Sequence, residues 1–235
     1  MLRQGGFSLT ELMVGTLVGL IVLAGALHLY SATAAAGADT LRMARLSHEM
    51  RALEGLIRAD LRRAGFWAFR PGIDNPGDNP FMQPPHALRI GQARGEAADS
   101  CILYSYDRNG DGRVGVGRQG QPSPRHALDH VEEFGLRLHR GSVEIRTGGQ
   151  PFDCDGGQWQ DLTDSDTLIE QLRFRLTESC LNAAAPGQPC RGQRPVQIVR
   201  TLRFRIQARS RSDPAIRQTL ASRVHVRNNR YLPGP

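Results

Sequence analysis

The chain has 235 residues, enough for one domain with a buried core and a short accessory segment, but not for a string of domains. Its formal charge is +7, and all 30 basic residues are arginine, a usage that reflects codon bias more than chemistry. The arginines are spread along strand-like runs rather than packed in one block, which favours a solvated surface over a dedicated polybasic tail.

The chain opens with Met1-Leu2-Arg3-Gln4-Gly5-Gly6, which carries one positive charge. An apolar run from Phe7 to Tyr30 follows, in which Glu11 is the only formally charged residue. About 20 consecutive apolar residues cross a bilayer as a helix, and this run meets that length. A secretory signal has a shorter apolar core with small residues at its far end. Here Gly5 and Gly6 precede the run, so cleavage after Gly6 would leave the membrane segment attached. An ionised carboxylate within a membrane helix costs about 2.5–3.5 kcal/mol, so Glu11 is expected to have a partner. After such cleavage the Phe7 amine would lie one helical turn upstream on the same face. Glu11 could then neutralise its own chain's amine, or a neighbour's when subunits stack.

The string Gly6-Phe7-Ser8-Leu9-Thr10-Glu11-Leu12-Met13-Val14 resembles the type IV prepilin signature: a short basic leader ending in Gly, then Phe, a Thr-Glu-Leu triplet and an apolar helix. The resemblance covers the N-terminal segment through Tyr30. It implies that a membrane-embedded prepilin peptidase cuts between Gly6 and Phe7 and methylates the new Phe7 amine. It also assigns Glu11 to subunit register during assembly. The implied organisation is a leader at 1–6, a transmembrane and pilus-core helix at 7–30, and a periplasmic globular domain at 31–235 that includes the amphipathic half of the helix.

From Phe7 to Ala64 there is no proline. Leu46, Met50, Leu53, Ile57, Leu61 and Ala64 recur at spacings of three and four, which marks one apolar helix face. The pattern predicts a nearly continuous helix of about 58 residues, on the order of 87 Å long. Gly37 lies where the apolar and amphipathic halves meet, and with Gly15, Gly19 and Gly25 it permits bending. Many major pilins carry a helix-kinking proline in the membrane half; this chain has none. Gly65 is the expected terminator. Phe66 to Gly95, with Pro71, Pro76, Pro80, Pro84 and Pro85, is expected to be one long loop.

Strand-like runs follow. Cys101–Tyr106 is a short apolar-aromatic strand, and Val131–Leu138 and Val143–Arg146 flank an expected hairpin turn at His139-Arg140-Gly141-Ser142. Leu168–Leu176 and Ile198–Ala208 alternate, with Leu172, Phe174 and Leu176 on one face and arginines on the other, as a half-buried antiparallel strand requires. Leu220–Val226 is the last expected strand, and Asn228–Pro235 is expected to be a polar tail. One amphipathic helix with about six or seven strands predicts an α+β fold, the helix wrapped by an antiparallel sheet. The pilin fold has the same plan.

Four cysteines, Cys101, Cys154, Cys180 and Cys190, allow three pairings. All lie on the side that a prepilin exports to an oxidising compartment. Cys180 and Cys190 bracket a short Pro/Gly/Ala loop and form the natural local pair, leaving Cys101 with Cys154. The lack of Cys-x-x-Cys spacing and the scattered histidines disfavour zinc. Asp107-Arg-Asn109-Gly-Asp111-Gly-Arg113 matches the first half of an EF-hand calcium loop, with Asp107, Asn109 and Asp111 offering side-chain oxygens and Arg113 its carbonyl. The twelfth position is Arg118 rather than Glu, so a missing ligand must come from elsewhere; Asp129, Glu132 and Glu133 are the candidates. The rival reading is a turn in which Asn-Gly and Asp-Gly only satisfy backbone geometry.

His126 and His130, beside Asp129 and Glu132, read as a solvated loop rather than a metal pair. There is no nucleophile elbow, Walker loop or dinucleotide fingerprint, and no enzyme is expected. No cofactor is required on this reading beyond the candidate calcium. Arg194–Arg230 holds ten arginines, and with Phe204 and Tyr231 they could form a nucleic-acid surface, arginines on phosphates and rings on bases; but Phe204 alternates inward, so nucleic acid is not the expected partner. Length, cysteines, the Asp107 loop and the Phe134-Gly-Leu-Arg-Leu138 hairpin resemble PilW-type minor pilins. That resemblance implies a part in initiating pilus assembly within a tip complex, with other minor pilins, the major pilin and a large tip adhesin as partners. It places the chain in the bacterial inner membrane and the pilus fibre. The alternatives are a minor pseudopilin of a type II secretion system and a tip-displayed module binding DNA or a surface.

Overall fold

The computed structural model describes residues 8–69, 71, 74–115, 132–190 and 195–233. Two compact units divide the chain, Met1–Arg45 and Leu46–Pro235. Helix α1 (Leu9–Leu61) supplies all the described structure of the first unit and the opening element of the second.

Between Leu12 and Leu27 the helix is apolar on every side, and Leu12, Met13, Val14, Leu17 and Ile21 are all exposed. Its hydroxyl side chains turn back onto the helix. Thr16 Oγ1 donates to the Met13 carbonyl at 2.9 Å and Ser31 Oγ to the His28 carbonyl at 2.9 Å. These hydroxyls are thereby satisfied within the helix rather than by water.

In the second unit one stripe of α1 is buried: Leu46, Met50, Leu53, Ile57 and Leu61. The helix stops at Leu61, short of the expected Ala64. The chain tightens there, with Arg63 N–H bonding the Asp60 carbonyl at 2.9 Å. Gly65 (φ +74°) then leaves in the left-handed region and gives its N–H to the Ser105 carbonyl at 2.7 Å. A Cβ at Gly65 would also press on the Met82 side-chain tip at 2.6 Å, but it is the left-handed backbone that demands glycine.

Five strands form the first sheet in a simple antiparallel meander: β1 (Arg89–Gly91), β2 (Cys101–Ser105), β3 (Glu133–His139), β4 (Ser142–Gly148) and β5 (Gln158–Asp161). Arg140 (φ 49°) and Gly141 (φ 79°) make the two-residue β3–β4 turn, both left-handed as the tightest hairpins require. The second sheet holds β6 (Thr167–Asn182), β7 (Val196–Ser210) and β8 (Arg217–His225), with β9 (Arg230–Leu232) also paired to β7. The α1 stripe shares one core with Ile102, Tyr104 and Leu136 of the first sheet and with Leu172, Phe174, Leu202, Phe204 and Ile206 of the second. The protein is therefore α+β, a long N-terminal helix with antiparallel sheets.

The unbroken apolar run of β2 has its reason in burial on both faces. Ile102 and Tyr104 join the main core, while Cys101 and Leu103 pack with Phe152 and Cys154 in a smaller cluster. A disulfide joins Cys101 to Cys154 within that cluster, and a second joins Cys180 to Cys190 across the β6–β7 connection.

Three expectations are corrected. The stretch 66–95 is not one loop: it holds single 3-10 turns at Pro76–Asp78 and Pro80–Met82, and strand β1. The polar tail contains β9, whose Leu232 pairs with Val196. Two sheets with nine strands are present among the described residues, against the six or seven strands and one sheet expected.

Candidate functional site

Two regions carry functional side chains, one in each unit. The first is the start of α1. Ser8 Oγ accepts the Glu11 N–H at 3.3 Å, and Glu11 Oε2 accepts the Ser8 N–H at 3.0 Å and its hydroxyl at 3.0 Å. This is a reciprocal capping box, which satisfies otherwise orphaned donors of the first turn. The Ser8-x-x-Glu11 spacing is the sequence signal that identifies it, and it gives Glu11 a role apart from its charge. Gly6 and Phe7 lie outside the described residues. Beyond the cap, α1 is long and apolar enough to cross a membrane by length and composition.

The second region is the loop after β2. Asp107 is buried, and its carboxylate accepts N–H groups from Gly110 at 2.6 Å, Gly112 at 3.0 Å and Ala68 at 3.0 Å. Asn109 Oδ1 accepts the Asp111 N–H at 2.9 Å, and Asp111 Oδ1 accepts the Arg113 N–H at 2.8 Å. Gly110 and Gly112 adopt φ of +78° and +77°, which lets the chain wrap its own carboxylates. Trp67 Nε1 clamps the loop from outside by donating to the Gly112 carbonyl at 3.2 Å.

Glu132 closes the site. The β2–β3 register pairs Ser105 with Glu133, so Glu132 arrives beside Asp107. Fully buried, it accepts N–H groups from Arg108 at 2.9 Å and Gly115 at 3.1 Å. Burial pushes its carboxyl up to about 6, and the Asp107 charge adds to this, while the Arg108, Asn109 and Gly115 N–H groups oppose it. One carboxylate oxygen from each of Asp107, Asp111 and Glu132 lies within 4.8 Å of the others.

This donor set fits a hard divalent cation. Three carboxylates supply oxygen only, and in each at least one oxygen, Oδ1 of Asp107, Oε2 of Glu132 and both of Asp111, accepts a single hydrogen bond and keeps a lone pair. Glu133 does not belong to it: its carboxylate is turned to His86 at 3.3 Å and Arg146 at 3.6 Å. Arg118, His126, Asp129 and His130 lie outside the described residues.

A family description for prepilin peptidase-dependent protein B matches residues 39–226, four-fifths of the chain.

The chain belongs to the prepilin peptidase-dependent protein B family.

The prokaryotic N-terminal methylation motif matches residues 1–27, over the segment that holds Gly6, Phe7 and Glu11. A Haemophilus influenzae protein described as uncharacterized is 25% identical over 157 residues. The match spans 55% of this chain and 65% of that relative's length. No solved structure matches. As a prepilin peptidase-dependent protein with a methylation motif, the chain is a type IV prepilin-like minor pilin or pseudopilin. Domains of this family are structural rather than enzymatic, and its apolar helix and motif point to membrane anchoring.

Proposed function

We propose that this protein is a minor pilin that helps to initiate assembly of a type IV pilus. The observation that carries the reading is the coexistence, in one chain, of the methylation motif at 1–27 and the prepilin peptidase-dependent protein B domain at 39–226. On this reading residues 1–6 are a leader removed between Gly6 and Phe7, residues 7–30 hold the chain in the inner membrane and later in the fibre, and the domain from 31 onward is periplasmic. The exposed apolar surface of α1 supports this, because a contiguous apolar patch of that size needs lipid or other helices to cover it.

Glu11 acts twice. Within the chain it caps α1 through Ser8; between chains its carboxylate pairs with a neighbouring Phe7 amine and sets the stagger of packed helices. The partners are other minor pilins, the major pilin and a tip adhesin. Asp107, Asp111 and Glu132, with Asn109 and the Arg113 carbonyl as further donors, hold calcium, which would supply positive charge to three converging carboxylates and rigidify the loop.

A chromosomal deletion tests the assignment against a type II secretion pseudopilin. Loss of surface pili and twitching with normal protein secretion supports the pilus role. Loss of secretion with normal pili moves the protein to the secretion pseudopilus.

A further inference from the structure

The outer face of the second sheet presents five exposed arginines: Arg173 and Arg175 on β6, Arg203 and Arg205 on β7, and Arg223 on β8. Register sets Arg173 opposite Arg205, Arg175 opposite Arg203, and Arg203 opposite Arg223. Adjacent strands lie about 4.8 Å apart, and like charges directly opposite one another destabilise a sheet. Farther along the same face Arg209 stands opposite Arg217, and there Glu170 bonds both, at 2.9 and 3.6 Å. Among the described residues no carboxylate pairs with any of the five. The fold thus neutralises one arginine pair internally and leaves the neighbouring cluster to an external anion.

We infer that this face binds the phosphodiester backbone of duplex DNA. The five arginines border a shallow, open depression of ≈ 510 Å³ around Ala221. Guanidinium forks match phosphate oxygens, and alternate residues along a strand repeat every ~6.7 Å, so two rows of cations face the ligand. The ring that lines the depression among the described residues, Phe204, is buried from the other side at 2% exposure, so it offers bases no stacking platform. Among the described residues that line the depression there is no exposed aromatic or large aliphatic anchor of the kind that concentrates energy at protein interfaces, or that inserts into a lipid surface. Phosphate-backbone binding needs neither, since cations alone supply it. The inference goes beyond the assembly role and does not depend on it.

The test uses the full chain in non-ionic detergent and a fluorescent duplex of about thirty base pairs, with anisotropy read between about 50 and 200 mM salt. Affinity should fall with a log–log slope of about −3 to −4.5, as three to five phosphate contacts require. The triple variant Arg175→Gln, Arg203→Gln, Arg223→Gln should bind about tenfold or more weakly. It should melt no lower than the native chain, because cross-strand repulsion is relieved. Arg45→Gln, Arg51→Gln, Arg62→Gln removes the same charge from exposed positions on α1 and just past its end, and should leave affinity within about threefold. Salt-insensitive or absent DNA binding, equal losses in both triple variants, or capture only by vesicles containing anionic lipid would each overturn the inference.

Discussion

Ser8 and Glu11 hold each other across the first turn of α1, each accepting the other's backbone N–H, at 3.0 and 3.3 Å. The cap gives Glu11 a local role beside its proposed pairing with a neighbour's Phe7 amine, and substitution separates the two. Glutamine keeps a capping box but carries no charge. Glu11→Gln should therefore leave α1 intact in isolated protein yet abolish incorporation into fibres. Glu11→Ala should do both kinds of damage, with a capping loss of about 0.5–2 kcal/mol. Immunoblots of sheared pili measure the incorporation; normal incorporation of the glutamine variant would confine Glu11 to capping.

Calcium should act on stability through Asp107, Asp111 and Glu132. A cation bound only by the folded chain stabilises it by about 2.7 kcal/mol at a hundredfold excess over Kd. Thermal melts of protein stripped with a chelator should shift upward on adding calcium, and Glu132→Gln should remove the shift while leaving the stripped protein folded. An unchanged Tm in the native chain would reduce the loop to a self-wrapped turn.

Asp60 of α1 accepts hydrogen bonds from both Tyr104 and Tyr106, the latter at 3.0 Å. Burial first, and then the Asp60 charge, push the Tyr106 hydroxyl up to about 12 and the Tyr104 hydroxyl well above its usual value. A raised folded-state value means that the contribution is complete below about pH 10 and is lost as pH climbs from there through the folded value. Tm should fall between pH 10 and 12. Tyr106→Phe should flatten that slope, as melts across the range would record.

The two disulfides should differ in worth. Cys101–Cys154 closes a separation of 53 residues and Cys180–Cys190 one of 10. Chain-entropy scaling gives about 4 and about 3 kcal/mol respectively. Replacing Cys101 and Cys154 by alanine should cost more than replacing the other pair, since it also loosens the cluster with Leu103 and Phe152. Denaturant midpoints of the two double variants decide the order.

Much of the fold could be read in the chain because burial imposes a period. The Leu46–Leu61 stripe and the alternation of Leu172, Phe174, Leu202, Phe204 and Ile206 each have one buried face, and the residues say so. Strands β1, β5 and β9 have three or four residues each and no buried member. They are strands because a distant neighbour pairs with them, and nothing local signals that. The same holds for sites assembled by register. Glu132 reaches Asp107 only through the β2–β3 pairing, which is why it stood beside Glu133 and Asp129 as one of three equal candidates. The arginines at 173, 175, 203, 205 and 223 look scattered in sequence, and become one surface only when β6, β7 and β8 align.

The most direct measurement is the mass of the N-terminal peptide of protein recovered from membranes. A mature chain that begins at Phe7 with a methylated amine is the predicted result. A chain that retains Met1 in cells with an active prepilin peptidase would contradict the account.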